Sequence, residues 1–304
     1  MTLDIRDFHW DEDFDTVNQF LFEAWKAGPL YRNWVPPMFE NTKFGPGGTE
    51  YLDEEDEYIK IWEDQSNIVA VSIVDPSGLC WILIHPDYLA VEREIVLWIE
   101  EKKIKTKKDP DDEVKYAFVV EEHDTKRISM LEDMGFEKSS IEGVCQVHPF
   151  DKPIPECELP EGYSVRHALI MDEWEKYREL QMSVFKNIKD MGKDLLEIYS
   201  TASFYVPELD IVAVDPEGNF AAFCTGRFDP VHRTAELEPV GTHPDHRQKG
   251  LAKAVILECL RRFQKYDPVA MVILGAAPSE GANRLYESVG FENKGVRYHW
   301  VKKV

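Results

Sequence analysis

Four short landmarks recur in the same order on either side of a proline-rich stretch. That repetition restricts the chain to architectures that use one structural unit twice. Leu3-Asp4-Ile5-Arg6 opens the first half and Tyr163-Ser164-Val165-Arg166 opens the second. Glu63-Asp64-Gln65-Ser66-Asn67 separates the strand-like runs Tyr58–Trp62 and Ile68–Ile73; Asp215-Pro216-Glu217-Gly218-Asn219 does the same between Ile211–Val214 and Phe220–Thr225. Both pairs read as β-hairpins from their alternation and turn residues. His85-Pro86-Asp87 returns as His243-Pro244-Asp245, and Met134-Gly135-Phe136-Glu137 returns as Val289-Gly290-Phe291-Glu292. Between the halves, Pro149, Pro153, Pro155 and Pro160 crowd a polar segment that suits neither helix nor sheet. The expected domains are therefore 1–150 and 151–304, a size that lets each bury its own core.

Within each half the order is strand, helical stretch, hairpin, strand, helix, strand, helix, strand. In the second half Leu251, Val255, Leu260 and Phe263 recur at helical spacing. Val269–Leu274 reads as an apolar strand, Ala282–Val289 as a short helix and Val296–Val301 as a closing strand. Hairpins mixed with crossovers imply an α/β (α+β) fold, a mixed sheet with helices packed on it.

The chain carries 35 Lys and Arg against 57 Asp and Glu, a formal net charge of −22. That field opposes nucleic-acid binding and favours a cationic acceptor such as an amine. The same acidity also serves plain solubility. Five scattered cysteines suggest neither disulfides nor a zinc site, and the histidines lack metal-binding spacing. No run approaches the ~20 apolar residues that span a bilayer, and the first residues are not a signal peptide. A cytoplasmic protein without metal is expected.

Chemistry concentrates in Ala235–Ala252. A strand ends near Thr242, and the turn that follows runs through Arg247-Gln248-Lys249-Gly250 directly into a helix starting Leu251-Ala252. Such a loop presents backbone N–H groups and the positive helix end to an anion, with Arg247 and Lys249 as counter-charges. Alone, it also reads as an ordinary strand-to-helix turn. Glu236 and Glu238, two apart on the strand, would share a face, either as a solvated acidic edge or as a base.

This segment resembles the GNAT superfamily of acyl-CoA-dependent N-acyltransferases. The family signature Gln/Arg-x-x-Gly-x-Gly/Ala is met by Arg247-Gln248-Lys249-Gly250-Leu251-Ala252, and Leu285-Tyr286-Glu287-Ser288-Val289-Gly290-Phe291 matches a second family motif. The resemblance covers roughly Tyr163–Val304 well and the first half weakly. It implies two tandem GNAT-like units, each a mixed, mostly antiparallel sheet flanked by helices. The implied cofactor is acetyl-CoA, bound through the backbone of Arg247–Ala252, with Val240 and Thr242 pairing the pantetheine arm. Ser279 stands where the family often has Asn. Tyr286 would protonate the departing thiolate, and Glu236 or Glu238 would take the amine proton directly or through water. The acceptor would be the amine of a small molecule or peptide, with no nucleic acid or membrane partner.

The tandem layout also resembles mycothiol-synthase-type acetyltransferases, in which one half is catalytically reduced. A non-catalytic acyl-CoA sensor remains the alternative function, and transfer from aminoacyl-tRNA is disfavoured by the intact loop and the charge. The first half departs from the signature: Tyr88-Leu89-Ala90-Val91-Glu92 follows His85-Pro86-Asp87, and Glu92 and Glu94 would repel phosphates. It is expected to keep the fold without binding CoA.

Other segments carry less. Phe44-Gly45-Pro46-Gly47-Gly48 is not a P-loop. Lys102–Lys108 is a solvated basic loop beside an acidic run. Trp25, Tyr31, Trp34, Phe39, Phe44 and Tyr51 serve core packing rather than an acceptor wall.

Overall fold

The computed structural model describes residues 3–28, 32–45, 59–75, 77–105, 109, 111–185, 190 and 192–304. Tyr31, Tyr51, Tyr58, Pro46 to Gly48 and Thr106 to Lys108 lie outside the described residues.

Two compact units form, and they interleave along the chain. One comprises Met1–Pro36, Tyr51–Cys145 and Lys294–Val304; the other comprises Pro37–Glu50 and Gln146–Asn293. The proline-rich connector is irregular between His148 and Ser164, as its composition requires. A cut there would nonetheless assign the last eleven residues to the second half, whereas they complete the sheet of the first unit.

In the first unit the strands β1 (Asp4–Asp7), β2 (Ile59–Asp64), β3 (Asn67–Val74), β4 (Leu79–Ile84), β5 (Lys115–Glu121) and β12 (Glu292–Lys303) are neighbours in that order. Helices α1 (Trp10–Ala27), α3 (Glu92–Lys105) and α4 (Thr125–Asp133) accompany them. Each helix turns an apolar stripe inward: Val17, Phe20, Leu21 and Ala24 from α1, and Ile95, Val96 and Ile99 from α3. β12 runs antiparallel to β5 from Arg297↔Glu121 to Lys303↔Lys115. Trp300 thereby joins a core with Trp62, Tyr116, Phe118 and Phe136.

In the second unit the order is β11 (Ala270–Ala276), β10 (Thr234–Thr242), β9 (Phe220–Asp229), β8 (Asp210–Val214) and β7 (Ser164–His167). With them go α2 (Pro36–Phe44), α5 (Trp174–Val184), α6 (Lys193–Ser200), α7 (Leu251–Phe263) and α8 (Glu280–Ser288). β6 (Glu137–His148) is divided between the units after Cys145. The glutamate of α2, Glu40, is buried and accepts from Ser203 N (2.6 Å) and Ser203 Oγ (2.7 Å), so this helix is bonded into the second unit.

The fold is thus mixed α/β and mostly antiparallel, as the pattern implies. The repeat is visible at atomic scale: His85 and His243 each start a 3-10 turn, and each imidazole Nδ1 accepts from the amide two residues on, at 3.3 Å. One parallel pairing within each unit is short. β4 meets β5 at Leu79↔Ala117 and Cys80↔Phe118, and β10 meets β11 at Thr234–Glu236 with Ala270–Val272. In both units the middle strand then parts from its parallel neighbour, and the candidate site lies at that parting.

Of the aromatic set, Trp25, Trp34 and Phe39 are buried, and Phe44 packs at the edge of the core around Tyr177 and Phe204. Core packing accounts for all four. The five cysteines are free.

Candidate active site

Beyond Glu236, β10 loses β11 and keeps a strand partner on the β9 side alone, at Val240↔Cys224 and Thr242↔Ala222. The register slips between Leu237 and Val240, where the Glu238–Pro239 peptide is cis. A bulge of this kind re-aims the residues around it. The far edge of β10 at Val240 and Thr242 thereby becomes open backbone, available to an extended ligand.

That edge runs into the loop. After the turn Pro244–His246, Gln248 (φ +62°) and Gly250 (φ +78°) both take the left-handed conformation, and α7 begins at Leu251. Gly250 is the helix N-cap, without a side-chain cap bond, so the first-turn amides have no intrahelical acceptor. A Cβ at Gly250 would meet nothing within 4 Å; the approach to these amides is open. Leu251 is buried and anchors the loop, Ala252 is half-buried, and Arg247, Gln248, Lys249 and Gly250 are exposed. Exposed amides in such a turn can receive an anion.

The basic residues are partly held in place. Lys249 Nζ donates to Tyr163 Oη at 2.9 Å, and Tyr163 Oη lies 2.8 Å from His246 Nδ1. Arg247 Nε reaches back to the Thr242 carbonyl at 3.4 Å. Ser279 caps α8 by accepting from Ala282 N at 3.2 Å, so its hydroxyl is engaged with the helix.

Glu236 and Glu238 differ more than their spacing suggests. Glu236 is buried and bonds Arg227, its cross-strand partner in the β9–β10 register, at 2.7 Å. Arg227 is itself buried and donates through Nε to Tyr199 Oη at 3.1 Å. Burial alone would lower its pKa, but the charges of Tyr199, Glu236 and Glu238 hold it above the ordinary arginine value. Glu238, past the bulge, is only half-buried. Tyr286 sits on α8 almost fully buried, and burial first, then the charge of Glu238, pushes its phenol above the ordinary tyrosine value. It therefore keeps its proton at neutral pH. The geometry brings Glu238 and Tyr286 into one electrostatic neighbourhood and commits Glu236 to Arg227.

Sequence reading missed this ion pair, although the β9–β10 hairpin register could have exposed it. It also missed Asp210, which is fully buried and accepts from Tyr177 Oη (3.0 Å), Thr225 Oγ1 (2.9 Å) and Tyr205 Oη (3.2 Å). Burial raises this carboxyl from 3.8 to about 6, against the three hydroxyl bonds that lower it.

The first unit answers the same positions differently. Ile82 and Ile84 precede His85 as Val240 and Thr242 precede His243, and Glu92 stands seven residues after His85 as Gly250 does after His243. The Ile84 edge is closed by the buried Asn33, which accepts from Ile84 N (2.8 Å) and donates to Ile84 O (3.0 Å). Ile82 O accepts from Arg127 at 3.0 Å. Glu92 is buried between Arg32 (2.9 Å) and Arg127, and Arg32 also bonds Asp124. The expectation that Glu92 repels phosphate as a projecting charge needs correction: its charge is already neutralised by two guanidinium groups. Glu94 does face solvent.

Residues 170–291 match the Acetyltransferase (GNAT) family. The chain is similar to mycothiol acetyltransferase of Paenarthrobacter aurescens (strain TC1), 25% identical over 145 residues. That match covers 45% of this chain and 45% of the relative, so it spans about half the relative's length. Among solved structures, a GCN5-related N-acetyltransferase from Sphaerobacter thermophilus superposes with a TM-score of 0.69 at 16% identity, covering 99% of this chain and 95% of that one. A tandem GNAT protein from the clavulanic acid biosynthesis pathway gives 0.67 at 15% identity, covering 99% and 98%. The match to the GNAT family lies within the second half, and the fold of the whole chain resembles that of these GNAT structures, one of them tandem. Among the described residues no helix is long and apolar enough to cross a membrane.

Proposed function

We infer, from the GNAT domain in its second half, that this chain transfers an acetyl or other short acyl group from acyl-CoA to an amine of a small molecule or peptide. One observation carries the reading: a strand edge left open at Val240 and Thr242 leads without interruption to the uncapped amides behind Gly250. A ligand with an extended amide-bearing arm and a diphosphate at its end has the chemistry to fill both.

In this reading the backbone of Val240 and Thr242 pairs the arm, and the amides of Gln248 to Ala252 receive the diphosphate with Arg247 and Lys249 beside them. Attack by the amine is direct. Glu238, half-buried beside Tyr286, takes the amine proton directly or through water. Glu236 is bonded to Arg227 and fixes the strand. Tyr286 gives its proton to the leaving thiolate. The first unit, its edge and loop positions filled by Asn33, Arg127 and Glu92, binds no CoA. A chain net charge of −22 favours a cationic acceptor and disfavours nucleic acid.

The test is acetyl-CoA turnover against a panel of amines, followed by thiol release, with direct calorimetry of CoA binding alongside. Turnover with one bound CoA per chain supports the reading. Binding without turnover on any amine points instead to an acyl-CoA sensor, and no binding at all overturns it.

A further inference from the structure

Away from that site, three consecutive residues at the C-terminal end of β5 turn their donor atoms toward one point. Glu121, Glu122 and His123 each offer one oxygen or nitrogen lying within 4.8 Å of the other two, and His123 Nε2 is 3.8 Å from Glu121 Oε1. Glu121 is 2% exposed, and its Oε1 has no hydrogen-bond partner among the described residues. A buried carboxylate oxygen without a donor is costly, and here it faces two further acids, Glu122 and Asp124.

The surroundings hold the carboxylates but give this oxygen no donor. Glu121 Oε2 accepts from His123 N at 2.9 Å, and Glu122 Oε1 accepts from Val296 N at 2.8 Å. Gly295 makes the space: at φ +136°, a Cβ there would stand 1.8 Å from Glu121 Oε1. Adjacent residues on a straight strand would diverge. The tight turn after β5 makes these converge, which is why no spaced metal motif is visible in the sequence.

We propose that Glu121 Oε1, the Glu122 carboxylate and His123 Nε2 hold a divalent first-row cation such as Zn²⁺ or Mn²⁺, tying the end of β5 to the Gly295–Val296 stretch of β12. Two carboxylates balance the double charge, and the imidazole favours a borderline metal over Ca²⁺ or Mg²⁺, which seek all-oxygen shells. The half-buried Glu122 and exposed His123 leave the remaining coordination positions to water.

The full chain, treated with chelator and desalted, is titrated calorimetrically with Zn²⁺ and separately with Mn²⁺, the latter also followed by electron paramagnetic resonance. Expected is one ion per chain, bound tighter than about 100 µM and at least about tenfold weaker in Glu121→Gln and in His123→Ala. His123 is exposed, so its variant tests the site even if Glu121→Gln folds poorly. No stoichiometric binding of either metal overturns the proposal. So does binding that both variants leave unchanged, which marks cations gathered by the acidic surface.

Discussion

At the scale of single residues, the proposed reaction divides the proton traffic between Tyr286 and Glu238. Tyr286→Phe keeps the ring packed on Phe291, 5.7 Å between centroids, and removes only the hydroxyl. We expect kcat to fall about 10²- to 10⁴-fold with KM for acetyl-CoA little changed, read by steady-state kinetics. Arg227→Met should act through stability: it leaves the Glu236 carboxylate buried without its cation, a loss of about 3–5 kcal/mol. The double variant Arg227→Met, Glu236→Gln should recover much of that loss in a denaturant titration. Asp210 gives the pH test. Its folded pKa, about 6, lies above the unfolded 3.8, so the folded state binds the proton more tightly. The stability it supplies is complete below 3.8 and is lost as pH rises through about 6. Thermal melts of Asp210→Asn should lack that decline, while the remaining carboxylates titrate as in the parent chain.

At the scale of elements, the turn into α7 depends on Gly250. Any other residue at φ +78° costs about 1–2 kcal/mol of backbone strain, though nothing nearby would clash. Gly250→Val should therefore weaken CoA binding by more than about tenfold with a modest drop in melting temperature, measured by calorimetry and thermal melts. Much of this level was legible from sequence: the two hairpins, the His-Pro-Asp turns, α7 and the loop before it all follow from local patterns of period, turn residues and glycine. What stayed hidden depends on distant partners. Nothing within Val296–Val301 says which sheet edge the strand will join, because edge pairing is decided by the partner. Asn33 and Arg32 lie some fifty to ninety residues from Ile84, Glu92 and Asp124, and no local period links them. Glu236 and Glu238 looked alike because strict alternation assumes a regular strand, and the bulge after Leu237 breaks it.

For the whole molecule, interleaving means that neither sequence half equals a compact unit. A fragment of residues 151–304 would lack the segment from Pro37 that carries Glu40, and its last strand would lack β5. We expect it to aggregate or melt without cooperativity in circular dichroism, since unpaired strand edges invite association. Amide hydrogen exchange with and without CoA should show protection gained in the second unit and none in the first. The contrast follows from how the first unit handles its own groove. Asn33, Arg127 and Glu92 act as a ligand that never dissociates. If the proposed site binds acyl-CoA, saturation about a hundredfold above Kd would give the second unit about 2.7 kcal/mol by mass action, to be forfeited when the metabolite is scarce. The first unit would be indifferent to supply, and starvation for the acyl donor would loosen only one lobe of the chain.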